Sequence, residues 1–513
     1  MPPRSPTPLL AKIAATAALI LLVEALIEHA AALLWTAALG WVFALLATRP
    51  ALRHSRPALV ALAMATLFVA AIIDDPSPLA VLLFLVAIVL AALLPRRRFD
   101  DAIAWCLRLA WAGLSAPLLP LRDLGLTTRA RMRRPGDALR LGAIAATLVL
   151  PIAGGALFLA LFASANPLIE SAFAGMILPD ATTVIWRGLL ALGVLLPVWA
   201  TLRPNPQLTA WRGTLPAVAL PQTASATLIL SLATFNAIFA VQNALDLAFL
   251  WSNAPLPAGV TMADYAHRGA YALIVTALLA GLFVLVTLRP GSPGAASPMV
   301  RRLVTLWIVQ TLLLVASSAL RTLDYVDAYS TTVLRLAALI WMALVATGLV
   351  LILWRLLGER SAAWLINANA LAATIVLTAC ALVDLGAAAA AWNVRVAIAQ
   401  GRNGPPLDLC YLERLGSSAL VSLARLETHA ANPALRERIA SIRWQAQQRA
   451  MHDQASWNSW TARNARRLIT VEALVGGEPR LRSAHLGRTC GALGAPAPVA
   501  APAPAPLTKA SQR

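Results

Sequence analysis

The chain has 513 residues, 59% of them hydrophobic and 13% charged, with a formal net charge of +19 and a mean hydropathy of +0.72. Soluble domains carry roughly a quarter charged residues, so this composition excludes a water-soluble globule and implies repeated passage through ~30 Å of hydrocarbon. The positive charge falls in short clusters between apolar runs, a pattern that sets membrane orientation and argues against a nucleic-acid partner.

Met1 to Lys12 is basic and passes into an apolar stretch without a small-residue cleavage site, so the first segment is expected to stay as an anchor. The apolar runs predict an all-α, polytopic transmembrane helix bundle of about eleven spans, each a helix because only that fold satisfies the backbone in lipid. The first four (9–27, 31–47, 58–73 and 79–94) form an N-terminal region, 1–95, turned by "EALIEHA" and "DDPSP". Residues 96–140 form a basic connection. Within it, "AIAWCLRLAWAGLSAPLLPL" (102–121) holds Arg108 and two prolines and lies between Arg clusters. It is read as an interfacial or re-entrant helix; were it to cross, the side of the tail would reverse.

A second region, 141–383, carries seven spans at 141–163, 183–200, 223–241, 269–288, 303–320, 333–356 and 363–383. Connections bearing Arg49, Arg53 and Arg56, then Arg96 to Arg98, Arg203, Arg289, Arg301, Arg302, Arg355 and Arg360, alternate with acidic or neutral ones. This places the N-terminus in the cytoplasm of a bacterial inner membrane and the C-terminal tail in the periplasm. Residues 384–490 are polar, Arg-rich and helical in pattern. They predict a helical hairpin of 407–427 and 432–474, with Asn432 as N-cap and Pro433 at the first helical position. The Ala-Pro tract at 491–513 lacks core-forming residues and is expected to be disordered.

Polar residues gather at two expected outer connections. "MADYAHRGAY" supplies Asp264, Tyr265, His267 and Arg268, and "RTLDYVDAYS" supplies Asp324, Tyr325, Asp327 and Tyr329, with Arg321 before them. The plain reading is that the tyrosines anchor helices at the interface and Asp264 caps one. The sharper reading is an outward-facing binding patch, since ionisable side chains at a membrane surface handle ions or protons. Gln242, Asn243 and Asp246 close a neighbouring span. Asn236, Gln310, Asn367 and Asn369 sit within or near spans, where amides usually bond between helices. Glu24, Glu28 and His29 read either as a solvated turn or as a weak metal set. Cys410 and Cys490 either pair in an oxidising compartment or remain thiols. No nucleotide-binding loop, nucleophile elbow or kinase signature is present, and no cofactor or catalytic residue is assigned.

The segments "ANPLIE", "FNAIFAVQNALDLAFLW", "LPAGVTMADYAHRGAYAL" and "RTLDYVDAYSTTVLRLAALIWM" occur in an order that resembles an uncharacterised family of bacterial multi-pass membrane proteins of unknown function (DUF4153/DUF4173-like). "WNVRVAI", "LDLCYLERLGSSALVSLARL" and "WNSWTARNARRL" resemble its C-terminal portion, so the likeness runs over 141–468. The family's larger aromatic is replaced here by Ala270 and Tyr271, and its basic pair by His267 and Arg268. The resemblance implies an integral membrane location and no established activity or cofactor.

The leading expectation is a non-enzymatic role, either small-solute transport or an envelope scaffold or sensor. Its partners are then the lipid bilayer and an envelope protein met by the C-terminal tail. The alternative is a membrane-embedded enzyme using an Asp, His and Tyr site on the outer face.

Overall fold

The computed structural model describes residues 7–25, 30–132, 181–205, 225–249, 297–400, 407–456 and 459–477, with isolated positions 151, 155 and 279. All regular structure among them is helical. Two compact units, 1–217 and 218–513, are described separately.

The first unit contains α1 (Thr7–Ala25), α2 (Ala30–Thr48), α3 (Arg56–Asp74), α4 (Pro78–Leu93), α5 (Ala102–Ser115), α6 (Leu118–Met132) and α7 (Ala181–Leu202). The tightest packing joins α3 to α4 across the "DDPSP" turn. There Ser77 caps α4 by accepting from the Ala80 amide at 3.2 Å, and Pro78 takes the first helical position, where its missing N–H costs nothing. Small residues let the backbones approach: Ala58, Ala65, Ala80 and Ala91 are all fully buried. The segment at 102–121 is a helix pair bent by 68° between α5 and α6. Pro117 lies in the break, where it removes a backbone donor.

The second unit begins with α8 (Ser225–Phe249), α9 (Pro298–Tyr329), α10 (Val333–Leu357) and α11 (Ala362–Leu382). Leu232, Val304, Trp307, Leu314, Met342 and Leu349 form the core shared by α8, α9 and α10. α9 has 32 residues, about 48 Å at 1.5 Å per residue, so it outruns the ~30 Å hydrocarbon layer. The expected loop "RTLDYVDAY" is therefore the last turns of this helix. At the opposite end Arg301 pairs with Glu359 at 3.5 Å, and Trp354 packs edge-on against Trp364 across the α10–α11 turn.

Five further helices follow: α12 (Leu385–Gln400), α13 (Leu409–Arg414), α14 (Leu420–His429), α15 (Pro433–Ala455) and α16 (Ala462–Val475). Asn432 caps α15 as expected, accepting from the Ala434 amide at 2.9 Å. The expected two-arm hairpin is more broken than its sequence suggests. Gly416 takes a positive φ of 57° and splits the first arm, while Ser456 ends α15 and Thr461 caps α16 in the second. Two small cores hold these helices: Val394, Leu412, Leu423 and Ile439 in one, Leu420, Ala424, Ala446 and Val471 in the other.

Among the described residues six helices are long and apolar enough to cross a membrane, or seven if the bent pair is one span. They coincide with the expected spans at 58–73, 183–200, 223–241, 303–320, 333–356 and 363–383. Leu34–Thr48 and Pro78–Leu93 are apolar but shorter. The expected spans at 141–163 and 269–288 lie outside the described residues.

Candidate functional site

Asn236, Asn243 and Asp246 fall seven and three residues apart on α8, a spacing that puts them on one helix face. That face meets α9. Asn236 donates through Nδ2 to the Leu303 carbonyl at 3.0 Å and accepts from Gln310 Nε2 at 2.8 Å. Asn243 donates to the Gln310 carbonyl at 3.2 Å. Asp246, 1% exposed, accepts from Gln242 Nε2 at 3.0 Å and forms an ion pair with Arg321, 7% exposed. The partners' numbers rise together along both helices, so α8 and α9 run parallel. Each amide bond contributes about 1 kcal/mol between helices. The ion pair has a different weight, because either charge left alone in this setting costs several kcal/mol.

One turn beyond Arg321, on the same face, stands Tyr325. The Arg335 guanidinium lies 4.2 Å from its ring centroid, and Tyr325 and Tyr329 pack with centroids 4.9 Å apart. Arg335 also donates to the Tyr329 carbonyl at 3.0 Å and to the Ser330 carbonyl. This holds Ser330 at a φ of 66°, a conformation costly for any residue but glycine. The turn is gripped from the C-terminal helices too. Asn393 on α12 accepts from the Thr331 amide at 2.7 Å and donates to the Thr331 carbonyl at 2.8 Å, and the Val333 amide donates to the Tyr411 hydroxyl at 2.8 Å.

A second joint sits where α11 gives way to α12. Asp384 accepts from the Ala387 amide at 3.0 Å and the Ser418 hydroxyl at 2.8 Å, and it pairs with Arg467. Arg463 approaches to 4.0 Å and donates to the Leu382 carbonyl at 3.1 Å. Burial alone would raise the Asp384 carboxyl. The hydrogen bonds and the Arg467 charge outweigh it and hold the group below the usual carboxylate range. Gly386 permits the close approach, since a Cβ there would stand 3.1 Å from Ser418 Cβ. Between α14 and α15, Arg443, 1% exposed in its side chain, donates to Glu427 at 2.7 Å.

Asp324 and Tyr325 are half-buried, and Asp327 and Tyr329 exposed, all on α9. Asp264, Tyr265, His267 and Arg268 lie outside the described residues, as do Glu28, His29 and Cys490. Glu24 stands 3.9 Å from Arg187. Among the described residues no group of three His, Cys, Asp or Glu side chains could hold a metal ion. Sequence reading singled out Asn236, Gln310, Asp246 and Arg321 without joining the last two, and missed Arg335, Asn393 and Asp384. Tyr411, the one tyrosine away from the expected outer connections, was the available clue to the clamp.

No curated protein and no solved structure matches the chain. A family model described as Domain of unknown function (DUF4153) matches residues 58–426, well over half the chain, from α3 through α14 and including Asp246, Arg321, Asp384 and Asn393. This multi-pass membrane protein therefore belongs to the DUF4153 family.

Proposed function

We propose that the protein is a non-enzymatic envelope scaffold or sensor of a bacterial inner membrane, with its N-terminus cytoplasmic and its C-terminal helices in the periplasm. The observation that carries this reading is the clamp on the turn at 330–332, which ties the α9 and α10 ends to α12 and α13 through Asn393 and Tyr411. Such a joint couples the bundle to the C-terminal helices and offers them as a surface for an envelope protein partner. The alternation of Arg-rich and acidic connections supports the orientation. The parallel run of α8 and α9 supports an intervening return crossing at 269–288, and with it the count of about eleven spans.

The test is complementation of a deletion strain. Ending the chain after Arg395 abolishes complementation, whereas His267→Ala and Asp324→Ala leave it intact at normal expression. The opposite pattern would establish the outward-facing site of Asp264, Tyr265, His267, Arg268, Asp324, Tyr325, Asp327 and Tyr329 as the working part, either as an enzyme or as a proton-coupled carrier. A second reading, small-solute transport, is favoured by the buried polar row along α8 and α9, because such residues in a span line ion and solute paths.

The periplasmic placement carries its own expectation. Cys106 and Cys380 are free thiols, and Cys410 is not among the free ones. Pairing of Cys410 with Cys490 in an oxidising compartment gives a mobility shift on non-reducing gels that either Cys→Ser substitution removes. Equal mobility of wild type and variants counts against that placement.

A further inference from the structure

One end of the first unit gathers more positive charge than it neutralises. Arg49, only 7% exposed, donates through Nη1 to the Ala92 and Thr201 carbonyls, both at 2.8 Å. Arg96 donates to the Pro204 carbonyl at 2.6 Å. Lys12 on α1 lies within the field of Arg49, Arg96 and Arg203. The carboxylate that enters this field is Asp123, and it is already engaged, by Arg203 at 3.2 Å and by Trp199 Nε1 at 3.0 Å. Burial, with Arg96 adding, pushes the Arg49 guanidinium down to about 10, and burial lowers Arg96 as well. Lys12, Arg49 and Arg96 thus converge with no carboxylate of their own among the described residues.

Beside the cations runs an apolar cleft of about 60 Å³ between α4, α5, α6 and α7, lined by Ala92, Gly113, Ala116, Leu119, Pro197 and Thr201 among others. Its rim is the same backbone that holds the cations, since the Ala92, Thr201 and Pro204 carbonyls that fix Arg49 and Arg96 belong to lining residues. Trp111, Leu114, Leu118 and Leu121 extend an exposed apolar surface along α5 and α6. Negative charge is wanted at one end of this feature and hydrocarbon along the rest.

We propose that this is a binding site for an anionic phospholipid, its phosphate held by Lys12, Arg49 and Arg96 and part of one acyl chain laid in the cleft. Basic pockets between transmembrane helices are the expected seats of such headgroups. Phosphate chemistry alone would suit a free anion equally. The adjoining apolar cleft favours the lipid, because a soluble phosphate leaves it unused.

The test uses the full chain, delipidated in neutral detergent. Binding is followed by native mass spectrometry and thermal melting with phosphatidylglycerol, with phosphatidylcholine, and with inorganic phosphate. Phosphatidylglycerol is retained and raises the melting temperature; phosphatidylcholine and inorganic phosphate do neither at matched concentration. Lys12→Gln together with Arg96→Gln weakens phosphatidylglycerol binding by about 30-fold, from the attraction of two surface-level cations for anionic lipid. Equal retention of phosphatidylcholine would overturn the proposal, as would unchanged binding in the double variant. Displacement of the lipid by millimolar inorganic phosphate would make this a free-anion site and overturn it too.

Discussion

Arg321→Ala lowers the stability of the protein by about 3–5 kcal/mol, because it strands the Asp246 carboxylate between α8 and α9 with the neutral Gln242 amide as its donor. Water cannot relieve the charge at 1% exposure. Melting of the detergent-solubilised protein measures the loss directly. Replacing both partners, Arg321→Met with Asp246→Leu, restores stability to within about 1–2 kcal/mol of wild type, since an apolar pair carries no desolvation cost. That contrast separates two roles for the pair. If it only joins helices, the double variant complements a deletion strain. If the charges serve transport, the double variant folds and fails. An Arg321→Ala protein that melts like wild type would mean that the two helices do not enclose the pair.

The same pair shows where sequence reading stops. Apolar runs identified the helices at 58–73, 303–320 and 333–356 because hydrocarbon demands about twenty consecutive apolar residues, a local property visible without a fold. The interhelical roles of Asn236 and Gln310 were legible for the same reason: an amide inside a span has nowhere else to bond. Arg321 to Tyr329 read as a loop because its charges depress local hydropathy. The helix persists regardless, since α9 extends past the layer and needs no lipid to satisfy its backbone. Asp246 and Arg321 are 75 positions apart on parallel helices, and no periodicity links them. Asp384 likewise meets a partner 83 positions away. The break at Gly416 depends on a positive φ that one glycine among 27 does not announce. Local composition thus placed the helices, while the joints between them rest on distant pairs.

Asp384→Asn loosens the C-terminal helices while leaving the bundle in place. The substitution removes the charge facing Arg467, whose guanidinium is 10% exposed, and weakens the acceptance from Ser418 and the Ala387 amide. Loss of a charged, largely buried partner of this kind costs about 2–4 kcal/mol. Limited proteolysis across α15 and α16 therefore accelerates on the order of 100-fold, each 1.4 kcal/mol being a factor of ten. Cleavage elsewhere changes little, because α8, α9 and α10 keep their own core. Acid reproduces the effect in the unaltered protein. Asp384 is held below its unfolded value of about 3.9, so its contribution is complete above that pH and falls away as pH drops through the lower folded value. The neutral range leaves it untouched. Protease resistance of the C-terminal helices should accordingly be flat from neutrality down to about pH 4 and decline below it, whereas in Asp384→Asn this acid-dependent step is absent. If the variant and wild type resist protease equally at neutral pH, the α11–α12 joint does not depend on this carboxylate.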